Sequence, residues 1–304
     1  MQKQAHLAGV LFSTIFGFSF MFSKIALDHV SPLGLIAYRF LAAWVVFELL
    51  RLTGIIRIRF KKDHLKPVLT VVLLQPILYF VLEANGLQRT TSSEAGMMIA
   101  LIPIFATLMS AVMLKEKPRL LQILFIILSV AGVMFIQLSK LGDGPRLEFI
   151  GFFLLLGAVL SAAFYNIASR SASRRLKPEE LTYYMMLSGA LAFNVFYVIE
   201  LLIQGDIAAY MTTLGKVELV LPILYLGVVA SIGGFFLVNL ALSRLPAHVT
   251  SIYANLATIV AIIAGALLLD EMIYGYHIIG SAMIIIGVYG TVRFNRIQTK
   301  RHPG

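Results

Sequence analysis

Residues 92–117 read SSEAGMMIALIPIFATLMSAVMLKEK. From Ser92 to Leu114 the stretch carries a single ionisable residue, Glu94, and it ends abruptly on Lys115, Glu116 and Lys117. A helix needs about 20 largely apolar residues to cross the hydrocarbon of a bilayer, so this run predicts a membrane span. The same register returns 155 residues later. Leu101 falls on Leu256, Ala106 on Ala261, Ala111 on Ala266, Leu114 on Leu269 and Glu116 on Glu271. Leu87 on Leu242 and Arg89 on Arg244 extend the match backward, and Gly132 on Gly287 and Val133 on Val288 extend it forward. Matches of Leu and Ala are cheap in so apolar a chain. An Arg, a Glu and a Gly held in one register are not.

Outward from this pair, the repeat takes in the whole chain. Gly9, Ser19, Phe22, Ile25 and Ala26 meet Gly151, Ser161, Phe164, Ile167 and Ala168, and Pro32, Leu35, Tyr38 and Leu41 meet Pro178, Leu181, Tyr184 and Leu187. Segments of spanning length lie at 5–27, 32–53, 66–86, 92–114, 118–138, 147–168, 179–203, 217–240, 246–269 and 273–294. Each half, 1–142 and 143–304, therefore holds five. An odd number sends the second half into the membrane with the opposite orientation. The expected fold is an all-α membrane protein of ten transmembrane helices, arranged as two inverted five-helix repeats, an architecture common among secondary transporters.

Composition supports lipid as the solvent. Apolar residues make up 59% of the chain and charged ones 13%, against roughly 45–50% and about 25% in soluble domains. The absence of cysteine excludes a disulfide framework, an iron–sulfur site and a thiol nucleophile. The apolar run that follows His6 reaches Leu27, too long for a signal h-region of roughly 7–15 residues, and reads as a retained first helix. The net charge of +10 reads as a topology signal and not as a nucleic-acid footprint. With the N-terminus inside, 19 Lys and Arg fall on the inner side and 5 on the outer, with Arg39 within a helix. The positive-inside rule then puts both termini in the cytoplasm of a bacterial inner membrane, multi-pass.

Particular residues add a resemblance. Phe16-Gly17-Phe18-Ser19-Phe20 leading to Lys24, Ser31-Pro32 followed by Tyr38-Arg39-Phe40, Thr90 to Ala95 with Pro103 and Glu116, and Glu271, Gly280 and Gly287 together resemble the EamA type of the drug/metabolite transporter superfamily. The second copy departs from that pattern, with Ala257-Thr258 where the family usually has Glu-Pro. The resemblance implies ten helices, cytoplasmic termini and transport of small metabolites, often amino acids or drug-like organics, often outward.

Polar groups within a membrane are costly and tend to face a cavity or one another. Gln75 and Tyr79 share one face of the third helix. Tyr165 and Asn166 lie on the sixth, Tyr253 and Asn255 on the ninth, Ser19 and Ser23 on the first, and Asn239 on the eighth. These are the expected substrate contacts, although each also reads as a helix–helix hydrogen bond. Arg39 reads as a structural pin and Lys24 as a snorkelling cation. Glu83 and Glu94 read as outer-end carboxylates that pair with them or exchange protons. Glu116 and Glu271 read as caps of the helices that follow them, and Leu155 as lipid-facing. Ser231-Ile232-Gly233-Gly234 permits close helix contact or a hinge. It lacks the Lys-Ser or Lys-Thr of a phosphate loop.

These features predict a secondary transporter that exports small metabolites by alternating access. Its cavity would be lined by helices 1, 3, 4, 6, 8 and 9, with one half rocking against the other and no charged residue at the midplane. An uptake permease is the alternative, with a lipid-handling protein and a channel behind it. No enzymatic constellation, cofactor motif or metal cluster is read. The expected partners are a small-molecule substrate, the bilayer and protons as a coupling ion, without nucleic acid. Monomer and homodimer both stay open.

Overall fold

The computed structural model describes residues 2–58, 64–113, 120–139, 147–245 and 247–294, with no β-strand among the described residues. Among the described residues seven helices are long and apolar enough to cross a membrane, and three shorter apolar helices accompany them. In chain order they are α1 (Gln2–Leu27), α2 (Pro32–Leu52), α3 (Leu65–Leu87), α4 in two segments (Ser92–Ile99 and Ile102–Met113), α5 (Leu120–Ser139), α6 (Leu147–Ala172), α7 (Pro178–Gln204), α8 (Val217–Arg244), α9 (Ala247–Leu268) and α10 (Gly275–Arg293). Proline sets φ for a first helical turn and has no N–H to leave unsatisfied there. Pro32 and Pro178 accordingly open α2 and α7, and Ser31 Oγ caps α2 by accepting from Gly34 N at 3.2 Å.

Proline inside a span does the reverse, removing a ladder bond and disfavouring helix in the residue before it. At Pro76 the chain winds wide from Leu73 to Leu78, with Gln75 at φ −149° and ψ 116°. Ser161 Oγ on α6 donates to the Leu74 carbonyl at 2.7 Å, and the Tyr79 N–H also bonds that carbonyl. α4 breaks at Ala100-Leu101, just before Pro103. α9 runs unbroken past the matching position, because Thr258 replaces the proline there and donates its hydroxyl to Gly96 O of α4 at 2.7 Å. In α8 a second wide-wound stretch runs from Tyr225 to Gly234.

Side-chain bonds identify the two ends of the bundle. Arg244 Nη1 donates to Gln4 Oε1 at 2.8 Å, and His6 Nδ1 lies 2.7 Å from the Tyr253 hydroxyl, so the start of α1, the end of α8 and the start of α9 share one face. The end of α10 belongs there too, and this is the terminal face. Lys24 on Leu87 O and Lys216 on His29 O gather the ends of α1 and α3 and the start of α8 on the opposite face.

The packing is interleaved. α2 pairs with α7, α5 with α10 and α4 with α9, while α1 lies on α8 and α9, and α6 lies on α3 and α4. Exchanging α1–α5 for α6–α10 leaves this pattern unchanged, as an inverted repeat requires. Contacts between the sequence halves outweigh those within them. The expected motion of one half as a rigid body against the other would tear most of this packing apart. Gly96 shows how close the α4–α9 crossing is: a Cβ there would stand 2.4 Å from the Ala261 Cβ.

One expectation is corrected, and one element is new. Leu155 does not face lipid: it is fully buried against Gly86 of α3, which has no side chain to keep it away. A short helix, Ala209–Leu214, precedes α8. It docks through Tyr210, whose carbonyl accepts from Tyr38 Oη at 2.7 Å and whose hydroxyl donates to Asn194 Oδ1 at 2.6 Å.

Candidate functional site

A cavity of about 90 Å³ lies inside the bundle between α1, α2, α3, α4, α6, α8 and α9. One water needs roughly 10–15 Å³ on such a scale, so the space suits a small cluster of waters or a small metabolite. α3 supplies Gln75, Tyr79 and Glu83, which stand four residues apart and so share one helix face. α1 supplies Phe12, Phe16, Ser19 and Phe20, α6 supplies Tyr165 and Asn166, and α8 supplies Phe235. Ile99, Ile102, Thr250 and Ala257 complete much of the rest.

Arg39 reaches this wall from α2. It is 3% exposed, its Nε donates to Ser231 Oγ at 2.9 Å, and its guanidinium carbon lies 4.4 Å from the centroid of the Phe80 ring. Glu83 is 5% exposed, and its carboxylate accepts no hydrogen bond among the described residues. Burying an ion without full compensation costs several kcal/mol. Arg39 and Glu83 both line this one cavity. The wall is aromatic and also carries these two groups.

Of the residues singled out in the sequence, Gln75, Tyr79, Tyr165, Asn166 and Ser19 line the cavity. The Ser19 hydroxyl is used within its own helix, donating to Phe16 O at 2.7 Å. Asn239 lies behind the wall. Fully buried, it accepts at Oδ1 from Tyr165 Oη and Ser169 Oγ, both at 2.8 Å, and donates from Nδ2 to Thr182 Oγ1 at 2.9 Å. It positions Tyr165 and does not line this cavity. Ser23 is buried off the wall, and Tyr253 sits at the terminal face against His6 and Phe12. The Asn255 side chain and Glu116 lie outside the described residues.

Three charged residues take structural posts. Lys24 Nζ donates to Leu87 O at 3.1 Å and Thr90 O at 2.6 Å, satisfying carbonyls at the end of α3. Glu94 closes a capping box with Thr91 and lies 3.6 Å from His277. Glu271 caps α4 and not the helix that follows it, accepting from Ser92 N at 2.7 Å and from Ser93 N at 3.0 Å. A carboxylate at a helix N-terminus is favourable wherever it comes from; here it comes from the other repeat.

The phenylalanine wall was not singled out in the sequence. Its signal was present on α1, where Phe12, Phe16, Ser19 and Ser23 follow helical spacing and continue the Ser pair that was noticed. Phe80 and Phe235 fall 155 residues apart, yet only packing shows that both face the same space.

The sequence profile of the EamA-like transporter family matches residues 3–138 and again residues 149–293. A Bacillus subtilis protein described as "Uncharacterized transporter YcxC" is 38% identical over 303 residues, covering 100% of this chain and 97% of that protein. An Escherichia coli protein described as "Probable amino-acid metabolite efflux pump" is 23% identical, covering 95% of each. A solved crystal structure superposes with a TM-score of 0.69 at 16% identity, covering 95% of this chain and 96% of that one, which shows a shared fold.

Proposed function

The chain belongs to the EamA-like transporter family, and from that premise we propose that it exports small zwitterionic metabolites of the amino-acid class by alternating access through the central cavity. One observation carries this reading: Arg39 and Glu83, of opposite sign and both almost fully buried, line one aromatic-walled cavity. A substrate carboxylate suits the planar donors of Arg39. A substrate ammonium suits Glu83, with Gln75 and Tyr79 beside it on the same helix face. An apolar side chain then rests on the phenylalanines. The name of the Escherichia coli relative supports amino-acid-like cargo and outward movement.

In this reading the repeats are residues 1–142 and 143–304, but the moving bodies are mixed. α1, α8 and α9 rock against α3, α4 and α6 about the tight α4–α9 crossing. Glu83 takes a proton when no ammonium occupies it, so protons couple to the cycle. The 19-to-5 division of Lys and Arg supports a cytoplasmic terminal face in a bacterial inner membrane.

The test is uptake and counterflow of radiolabelled amino acids in proteoliposomes, with and without a pH gradient. Saturable flux of zwitterionic amino acids, lost in Glu83→Gln and shifted to a higher half-saturation constant in Arg39→Gln, is the expected result. Parental flux in both folded variants overturns the site, and flux confined to purely anionic or cationic solutes overturns the substrate class.

A further inference from the structure

The register that relates the halves also relates two cations that the cavity does not use. On the opposite face Lys24, at the end of α1, donates to the carbonyls of Leu87 and Thr90 at the end of α3. On the terminal face Arg170, at the end of α6, donates through Nη1 to the Leu242 carbonyl at 3.4 Å and to the Leu245 carbonyl. Leu242 and Leu245 stand 155 residues after Leu87 and Thr90, the same shift that carries Arg89 onto Arg244. The carriers correspond as well. The α1–α6 register puts Lys24 on Asn166, and Arg170 lies one helical turn beyond Asn166, on the same helix face.

Each cation therefore holds the C-terminal carbonyls of the third helix of its own repeat, where a helix end carries partial negative charge. In the packed molecule, however, α1 lies on α8 and α9, and α6 on α3 and α4. Both contacts thus cross the gap between the two mixed bodies, one at each end. We infer that Lys24 and Arg170 are matched gate locks: the Lys24 contact shuts the cavity at the opposite face, the Arg170 contact shuts it at the terminal face, and each turn of the cycle breaks one while the other stays made. Each lock has local support. Glu271 ties the α9–α10 connection to the start of α4 on the opposite face. Asn239 ties α8 to Tyr165 and Ser169 of α6 nearer the terminal face.

The assignment rests on the alternating-access reading but is tested without a transport substrate. The chain has no cysteine, so single reporters can be introduced cleanly. Ile99→Cys reports from the part of the cavity wall nearer the opposite face, and Thr250→Cys from the first turn of α9 at the terminal face. Labelling rates with a polar maleimide are measured on the purified protein in detergent. Lys24→Met should raise labelling of the Ile99→Cys reporter by about tenfold, the weight of one charge-assisted hydrogen bond, and lower that of Thr250→Cys. Arg170→Met should do the reverse, and the double variant should return the ratio of the two rates toward the parent. Lys24→Arg and Arg170→Lys should stay close to the parent. If a Met variant fails to fold, Lys24→Gln and Arg170→Gln, which keep a donor without the charge, carry the same comparison.

Movement of both reporters in one direction, or of neither, overturns the lock. Opposite movements in a protein that carries no amino acid keep the lock and remove the substrate reading. Transport with unmoved reporters removes the lock alone.

Discussion

At the residue scale, Arg39 and Asn239 separate two uses of a buried polar group. Arg39 spends Nε on Ser231, stacks on Phe80 and lines the cavity. Arg39→Gln should therefore raise the half-saturation constant for a zwitterion by roughly 10–100-fold, the weight of one charged hydrogen bond or slightly more. The protein should remain folded and in the membrane, as measured by proteoliposome flux and gel filtration. Asn239 has no spare capacity. Asn239→Leu would leave Tyr165 and Ser169 without their acceptor and should lower stability by about 1–3 kcal/mol, seen as a fall in thermal unfolding temperature in detergent. Helical spacing made Gln75 and Tyr79 legible as neighbours on one face, and chemistry made Asn166 legible as costly in lipid. Arg39 was legible as an intramembrane cation but not as a cavity group, because depth along a helix does not reveal which neighbour the side chain meets. Leu155 failed for the same reason: its burial depends on Gly86, which is distant in sequence.

At the element scale, the α4–α9 crossing depends on one absent methyl group and one hydroxyl. Gly96→Ala should push the helices apart and cost about 1–3 kcal/mol, and Ala261→Gly in the same protein should recover most of that loss in a double-mutant cycle. Thr258→Pro, which restores the family's usual residue, should break both the α9 ladder and the Gly96 contact, costing about 3 kcal/mol. An unchanged unfolding temperature in either variant would contradict the crossing as described. The spans were legible because hydropathy and length decide them, and the break in α4 was legible because a proline marks it. The helix Ala209–Leu214 was not, since so short a segment is marginal by itself and exists through the docking of Tyr210. The partner of Glu271 was not legible either: a carboxylate after a helix points to a helix start without saying whose.

At the scale of the whole molecule, interleaving makes the halves mutually dependent. Residues 1–142 or 143–304 expressed alone should be degraded, because each half finds most of its packing in the other. Co-expression of both should restore a protein that co-purifies. A stable, monodisperse half would refute the interleaved packing. Reporter fusions after Lys62 and after Gly142 should fall on opposite sides of the membrane, the first in the cytoplasm; the same side for both would end the ten-span topology. The number of spans and their inverted relation were readable from charge, hydropathy and the 155-residue register. Which helices pack together was not readable, because the register relates positions by symmetry and says nothing about neighbours.

The two wide-wound stretches, Leu73–Leu78 in α3 and Tyr225–Gly234 in α8, have a consequence for solvent exchange. Wide turns carry poorer ladder geometry than the α-helix around them, and each has a buried side, at Gln75 and Pro76 in the first and at Leu226, Ala230 and Ser231 in the second. In deuterated buffer their amides should take up label ahead of the turns on either side, so that each span shows a fast centre between slow flanks. Ordinary membrane helices fray from the ends inward. These two should open first from the middle.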